Sequence, residues 1–340
     1  MQKSARKVLV VAFCFLVVVF LLHIGIGSSA WYKPWDVLSE IFRGSRLDDS
    51  MNSIIWGIRL PRAIEAGIVG AILGVSGAAL QTLFRNQLAE PYIVGSSSGA
   101  AIGAAFVAMV ASNHQFSEGD QTGRWLITLG MPLAGFATGL LTLVLVTSLA
   151  RRRGVIETPT LLLAGVVVAT MLSSLLSLVI LGFGKDQRIV LRWILGSFDE
   201  ALWPSIQLMT VVFIVSYFVL YRSAQKLNAM SLGEDGAQAL GVNPVAVRKL
   251  VLICVTAMTS VTVGAVGIIG FVGLVAPHIA RRLVGTDLRA TLPLSALFGS
   301  LLMLLADAIA QRGMEGAGFP VGIVTAIVGA PVLLVLLKRR

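Results

Sequence analysis

The chain has 340 residues, of which 56% are hydrophobic and 13% charged, and its mean hydropathy is +0.87. Soluble domains are about one quarter charged, so this composition excludes a soluble enzyme or binding module and predicts a polytopic membrane protein. The formal net charge of +10 comes from short basic clusters between apolar runs, which are typical of topology signals and not of a nucleic-acid-binding surface.

The N-terminal segment has a basic start followed by an apolar run from Val8 to Ile26. A signal peptide has a similar beginning, but this run is long enough to cross a bilayer, and many further apolar runs follow it. We therefore interpret it as the first membrane span. The two cysteines, Cys14 and Cys254, lie in apolar segments without a CxxC pattern, so neither a disulfide framework nor a metal site is expected.

Ten apolar runs follow one another along the chain, the eighth being shorter than the others. They predict an all-α fold of about ten transmembrane helices in a single domain, residues 1–340. With both termini in the cytoplasm, most Lys and Arg residues fall on the cytoplasmic side, as the positive-inside rule requires. The predicted spans lie near residues 8–26, 60–83, 91–111, 125–150, 158–181, 203–222, 249–270, 272–285, 290–311 and 319–337.

Small residues recur at helical spacing within the spans and predict close helix packing. One series is Gly67, Gly70, Gly74 and Gly77, and a second is Gly264, Gly267, Gly270 and Gly273. The second series contains spacing like that of a dinucleotide-binding loop, but no strand and no βαβ unit surrounds it. We interpret it as a place of helix packing or local unwinding.

Two segments, 158–169 and 319–330, share a prolyl helix start and the spacing of small residues. In the predicted topology they run in opposite directions, which is the pattern of an inverted repeat in transporters. Chance similarity between apolar sequences is the alternative.

Ionisable residues are scarce inside the predicted spans. Glu65 and Asp307 lie near helix ends, and His23, His114 and His278 share no metal-ligand spacing, so they are expected to be separate interfacial or packing residues. The stretch GFGKD at 182–186 lacks the first glycine and the Ser or Thr of a phosphate-binding loop. The chain is therefore not expected to hydrolyse ATP by itself, and no cofactor is expected.

One long cytoplasmic segment, residues 223–249, contains two short amphipathic turns separated by glycines, with Pro244 at the start of the last turn. Its apolar residues would be exposed in a solvated connector and favour docking to a partner. They are Met230, Leu232, Ala237, Leu240 and Val242.

Several motifs, in order along nearly the whole chain, resemble those of the FecCD-type permease family. These permeases are the membrane subunits of ATP-binding cassette (ABC) importers for iron siderophores, haem and cobalamin. The motifs are RLPR (59–62), the run GVSGAALQTLFRNQLAEPYIVGSSSGA (74–100), LLLAG (161–165), LGEDGAQALGV (232–242), GIIGFVGLVAPHIAR (267–281), LLAD (304–307) and PVGIVTAIVGAPVLLVLL (320–337).

The resemblance implies a type II ABC importer permease fold in the bacterial cytoplasmic membrane. It also implies a homodimer with the pathway between the two copies, and a non-enzymatic subunit that works with two cytoplasmic ATP-binding subunits. A periplasmic or lipoprotein substrate-binding protein is implied above the membrane. No nucleic acid is implied, and membrane lipid surrounds the chain.

The resemblance also assigns site residues. Asn86 and Leu88 match positions that line the cytoplasmic gate between the second and third spans, and Pro91 is expected to start the third helix. Glu157 and Thr158 match a second gate loop. The chain departs from the family pattern at Gln87, where a proline is usual, and at Glu157, where a carboxylate is unusual.

The segment 232–242 matches the helices that couple the permease to its ATPase. The matching residues are Gly233, Glu234, Ala237, Leu240 and Gly241. At the outer face, Arg59, Arg62 and Arg312 match arginines that pair with glutamates of the binding protein. Snorkelling, or an ion pair with a local acid such as Asp307 for Arg312, is the alternative.

The predicted function is import of an iron chelate, either a ferric siderophore or haem. Cobalamin is the alternative cargo. A secondary transporter driven by an ion gradient is the alternative class, and it requires acids near the middle of the membrane, which are scarce here.

Overall fold

The structure is a computed structural model that describes residues 3–26, 33, 53–113, 125–152, 155–183, 187–313 and 319–338. Regular structure in these ranges is helical, apart from a short hairpin in which β1 (Arg151–Arg152) pairs antiparallel with β2 (Val155–Ile156). The predicted all-α class is confirmed. His114, one of the three histidines considered above, lies outside the described residues.

The helices are numbered here in chain order. They are α1 (Lys3–Gly25), α2 (Leu60–Leu83), α3 (Ser96–Asn113), α4 (Met131–Leu149), α5 (Thr158–Gly182), α6 (Gln187–Ile194), α7 (Trp203–Arg222), α8 (Ala224–Met230), α9 (Glu234–Ala239), α10 (Pro244–Val266), α11 (Val272–Val284), α12 (Leu288–Arg312) and α13 (Val321–Lys338). Two π-helical turns, Ile55–Arg59 and Leu126–Gly130, lead directly into α2 and α4.

Seven helices in the described ranges are long and apolar enough to cross a bilayer. They are Ala5–Gly25, Ile55–Leu83, Thr128–Leu149, Thr158–Gly182, Trp203–Arg222, Pro244–Val266 and Leu288–Arg312. Two further apolar helices, Ser96–Ala111 and Val321–Val332, are shorter. A helix lies in each of the ten predicted segments, the eighth being the 13-residue α11. Ten membrane crossings and the inverted repeat stay predictions.

Helix α2 lies at the centre of the fold. In its most apolar membrane-spanning stretch 83% of the residues are buried inside the protein, whereas in that of α5 only 17% are buried. Its glycine stripe explains this position. A Cβ on Gly70 would overlap the backbone of Gly299 in α12, and a Cβ on Gly77 would overlap that of Gly273 in α11. Backbones in direct contact gain dispersion energy, which is the main attraction between helices in lipid. The predicted close packing is confirmed at Gly70, Gly74 and Gly77, whereas Gly67 has open space around its Cβ position.

The second glycine series lies where α10 ends and α11 begins. Gly267 adopts φ +79°, and the next helix starts only after Phe271, itself at φ +69°. The prediction of local unwinding is confirmed at this point. A Cβ on Gly264, still inside α10, would lie 2.8 Å from the Met131 carbonyl oxygen, so this member of the series serves packing.

Two predicted helix starts are wrong. The third helix begins at Ser96 and not at Pro91, because residues 90–95 form turns that end at Gly95, where φ is +78°. Helix α10, the seventh predicted span, begins at Pro244, five residues before the predicted start at residue 249. Its N-cap residue Asn243 accepts a hydrogen bond from the Ala246 N–H at 3.2 Å, and proline suits the first helical position.

The 24 residues of α2 span about 36 Å at 1.5 Å per residue, so its two ends lie on opposite sides of the molecule. We refer to the side where α2 begins, with Arg59 and Arg62, as the arginine end. The side where α2 ends, at Leu83, is the loop end.

Candidate gate, coupling surface and arginine end

The loop from residue 84 to residue 95, between α2 and α3, carries Asn86 and Leu88 on its exposed surface. The Asn86 Oδ1 accepts a hydrogen bond from the Leu88 N–H at 2.9 Å, and the Asn86 carbonyl accepts one from the Ala89 N–H at 3.0 Å. Arg85 enters this turn at φ +50°. The turn holds Leu88, 40% exposed, on the surface of the loop end.

Glu90 and Pro91 join the same loop to the unwound segment before α11. The Glu90 carboxylate accepts a hydrogen bond from the Phe271 N–H at 3.0 Å, and Pro91 packs against Gly273. Gln81 donates to the Gly273 carbonyl at 2.9 Å. No role for Glu90 was predicted from the sequence. The single carboxylate of the loop 84–95 was the available signal, because unpaired N–H groups near a helix start need an acceptor.

Glu157 and Thr158 begin α5 at the loop end. The Glu157 carboxylate is exposed and accepts a hydrogen bond from the Thr160 hydroxyl at 3.1 Å. Two turns further along α5, Gly165 packs against Gly95. A Cβ on Gly95 would lie 2.8 Å from the Gly165 carbonyl oxygen. The end of the loop 84–95 thus contacts α5 two turns beyond Glu157 and Thr158.

The coupling segment consists of the short helices α8 and α9 and their flanking glycines. Gly233 at φ +99° and Gly241 at φ +74° bracket α9, and both values favour glycine. The predicted exposure of five apolar residues is only partly correct. Leu232 and Leu240 are 67% and 62% exposed. Met230 and Ala237 are buried and Val242 is half-buried, because these three residues pack into or against the hydrophobic core.

Polar contacts anchor the coupling segment to two long helices. The Glu234 carboxylate pairs with Arg248 of α10, and the Arg248 side chain is buried. The Asn228 amide donates to Asp287 at 2.8 Å and accepts from the Leu288 N–H at 3.0 Å, which ties α8 to the start of α12. Hydrogen bonding from the Arg289 side chain lowers the pKa of Asp287 to about 2. Leu232 and Leu240 are therefore exposed on a segment whose position is fixed by these polar contacts.

The coupling segment also touches the gate loop. A Cβ on Gly233 would lie 3.3 Å from the Arg85 Nη1 atom, so the guanidinium group rests on the glycine backbone. Arg85 directly precedes Asn86. The coupling segment is therefore in contact with the residue that directly precedes Asn86.

At the arginine end, Arg62 makes a bidentate ion pair with Asp307 of α12. Arg62 Nε and Nη2 donate to the two carboxylate oxygens at 2.9 and 2.8 Å, and Nη1 donates to Asp199 at 3.0 Å. The Asp307 side chain is fully buried, and the Arg62 side chain is 17% exposed. His23 Nε2 and Gln311 Nε2 each lie 2.9 Å from the same carboxylate.

One alternative and one expectation about this cluster are wrong. Asp307 binds Arg62 and not Arg312, which is exposed at the end of α12. His23 is not a separate packing residue, because it contacts Asp307 across 284 positions of sequence. The available signal was the single carboxylate of LLADAIA, since a buried acid in an apolar helix requires a partner.

Arg59 differs from the other two arginines proposed for docking. Its side chain is buried and donates to the carbonyl oxygens of Ile24 and Gly25 at 3.2 and 3.0 Å, at the end of α1. Cations stabilise helix C-termini, where carbonyl groups lack intrahelical partners. Arg59 therefore holds α1 against α2, whereas Arg62 and Arg312 reach the surface.

Comparison with known proteins gives consistent matches over most of the chain. The model of the FecCD transport family matches residues 15–339. The chain is 36% identical to the cobalamin import system permease protein BtuC of Halobacterium salinarum, over 90% of this chain and 80% of that one. It is 34% identical to the Fe(3+)-citrate import system permease protein YfmE of Bacillus subtilis, over 99% and 97% of the two chains.

A solved structure described as an inward-facing metal-chelate type ABC transporter is similar throughout. The TM-score is 0.82 at 30% identity, and the match covers 98% of this chain and all of the other. The loops and the arginine end described above therefore lie within a shared architecture.

Proposed function

This chain belongs to the FecCD transport family, and from that premise we propose that it moves an iron chelate, either a ferric siderophore or haem, across the bacterial cytoplasmic membrane. As a family member it is the membrane permease subunit of an ABC transporter, and ATP hydrolysis belongs to a separate subunit. The observation that carries the cargo class is the end-to-end similarity to an Fe(3+)-citrate permease. Cobalamin is the second candidate, because a cobalamin permease is comparably similar.

The coupling segment is the proposed docking site of the ATPase. Leu232 and Leu240 are exposed apolar side chains on a segment braced by Glu234 and Asn228, and such residues suit a cleft on a partner. Gly241 has open space around its Cβ position, so a side chain there would project towards the partner, and its φ of +74° means that a substitution also strains the backbone.

The contact between Gly233 and Arg85 supplies a route from the ATPase to the gate. When ATP binding draws the two ATPases together, the coupling segment moves and carries Arg85 with it. Asn86 and Leu88 follow because the Asn86 side chain and the Leu88 N–H form one hydrogen-bonded turn. Glu157 and Thr158 respond through the contact of Gly95 with Gly165.

The gate requires two copies of the chain, with the pathway between them and the Leu88 side chains facing each other. Disulfide trapping tests this homodimer. In a background with Cys14→Ser and Cys254→Ser, Leu88→Cys should form a linked dimer under mild oxidation, whereas exposed Leu133→Cys on α4 should not. A monomer in both cases would mean that Leu88 lies away from the dimer axis.

The arginine end is the proposed docking face for the substrate-binding protein, with Arg312 and the exposed part of Arg62 as contacts. Arg59 supports this face from below by fixing the end of α1. Charge reversal with Arg312→Glu should weaken capture of the loaded binding protein, most strongly at low salt. Arg282→Glu at the loop end is the matched control, and equal capture by both variants would remove Arg312 from the interface.

Reconstituted transport tests the whole proposal. The chain is placed in proteoliposomes with its cognate ATPase and binding protein, and labelled ferric citrate, ferric siderophores, haem and cobalamin are offered with ATP or ADP. ATP-dependent uptake of an iron chelate supports the proposal, and uptake of cobalamin alone supports the second candidate. Uptake that ignores ATP and follows an ion gradient would indicate a secondary transporter.

A further inference from the structure

A partly open cavity of about 580 Å³ lies at the arginine end inside a single copy of the chain. It is bounded by α2, α3, α4, α6 and the start of α7. Most of its wall is apolar and includes Met131, Phe183 and Trp193. Ligand pockets in proteins have volumes of about 300–1,000 Å³ and mostly apolar walls with a few polar groups, so the size and lining fit a small organic molecule.

The charges on the cavity wall are unbalanced. Among the described residues that line it, three are carboxylates, Glu65, Asp199 and Glu200, and one is a guanidinium group, that of Arg192. Arg192 pairs with Asp199 at 2.9 Å, and Asp199 also receives Arg62 at 3.0 Å. Within the described part of the chain, Glu65 and Glu200 have no hydrogen bond from a side chain and no ion pair.

Of these two carboxylates, Glu65 is the more informative, because it is only 2% exposed and belongs to the central helix α2. Burial away from water favours the neutral form of this carboxyl, and Arg62, one turn earlier on α2, interacts with it electrostatically. A ligand that brings its own positive charge into the cavity would stabilise the ionised form. No group of three His, Cys, Asp or Glu side chains in the described ranges could hold a metal ion. The apolar wall also favours an organic cation, since aromatic faces attract ammonium groups.

We propose that this cavity binds an amphipathic ammonium compound, with the ammonium group on Glu65 and the apolar part against Trp193 and Phe183. Glu200, exposed at the rim, attracts the cation towards the opening. The site lies inside one copy of the chain and away from the gate loop. It is therefore a second binding site, independent of the identity of the transported chelate.

The test uses the full-length chain in lipid nanodiscs, with benzylamine as the probe and benzyl alcohol as its neutral counterpart. Titration calorimetry should detect saturable binding of benzylamine and at least ten-fold weaker binding of benzyl alcohol. Glu65→Gln should weaken benzylamine binding at least ten-fold. Asp235→Asn, which changes an exposed carboxylate at the loop end, should leave it unchanged.

A second variant keeps the test decisive if Glu65→Gln fails to fold. Ala111→Trp fills the cavity from α3 and retains Glu65, and it should abolish binding of benzylamine. The bound probe should also change the fluorescence of the wild-type chain, and Trp193→Phe should remove that change. The proposal is overturned by no saturable binding to the wild type, by equal binding of both probes, or by full binding to either cavity variant.

Discussion

Replacement of Asp307 by alanine would separate the contribution of a buried ion pair from that of an exposed one. The Asp307 carboxylate receives two hydrogen bonds from Arg62 and lies within 2.9 Å of His23 Nε2 and Gln311 Nε2, and its side chain is fully buried. The Asp307→Ala variant leaves the Arg62 guanidinium group without its main partner. Three helices, α1, α2 and α12, lose their common polar contact.

The expected loss of stability is about 3 kcal/mol. Removal of one partner from a buried pair costs roughly 3–5 kcal/mol, because the remaining charge is left uncompensated. The lower end of that range applies here, since Arg62 is 17% exposed and keeps its hydrogen bond to Asp199. Asp199 itself is 38% exposed, and loss of an exposed pair costs about 1 kcal/mol or less.

Equilibrium unfolding in mixed micelles with increasing fractions of SDS measures both variants on the same scale. Asp307→Ala should lose about three times as much unfolding free energy as the matched control Asp199→Ala. In the double variant with Arg62→Ala, the loss should be smaller than the sum of the single losses, because the two residues act as one pair. Equal losses for the two aspartates would refute the argument from burial.

Three further outcomes are expected. Gly241→Arg should allow ATP hydrolysis by the assembled importer but reduce cargo uptake at least ten-fold. The reasons are that φ is +74° at this position and that the new side chain would project into the docking surface. An unchanged ratio of uptake to hydrolysis would remove this residue from the interface. Arg85→Ala should lower the ratio of uptake to hydrolysis, and Arg85→Lys should restore part of it. The arginine is unimportant for coupling if the wild type and both variants have the same ratio. The Asp287 carboxyl, whose pKa is about 2 because Arg289 donates to it, should contribute stability above pH 4 that is lost as the pH falls towards 2, and Asp287→Asn should remove this part of the pH dependence in an unfolding titration.

Much of the fold could be predicted from local patterns. Apolar length placed the long helices, and a proline marked the start of α5 because its missing N–H costs nothing in the first turn. Pro244 marked the start of a turn, and only the structure showed that this turn is continuous with α10. Gly233 and Gly241 marked the limits of α9, because only glycine adopts positive φ at little cost. The wrong start predicted for α3, at Pro91, also came from a local pattern. Proline also suits a turn, and only the packing of Gly95 on Gly165 decides where α3 begins.

The candidate sites were predictable as segments but not as contacts. The amino-acid sequence alone determined the membrane class, the all-α fold, the glycine faces and the family, because hydropathy, helix propensity and motifs are carried by neighbouring residues. Only the tertiary structure decided that Asp307 binds Arg62 from 245 positions away, that Arg59 is turned inward, and that Arg85 rests on Gly233. Such pairs depend on which helices lie side by side, and that arrangement results from backbone packing across the whole bundle rather than from any one segment.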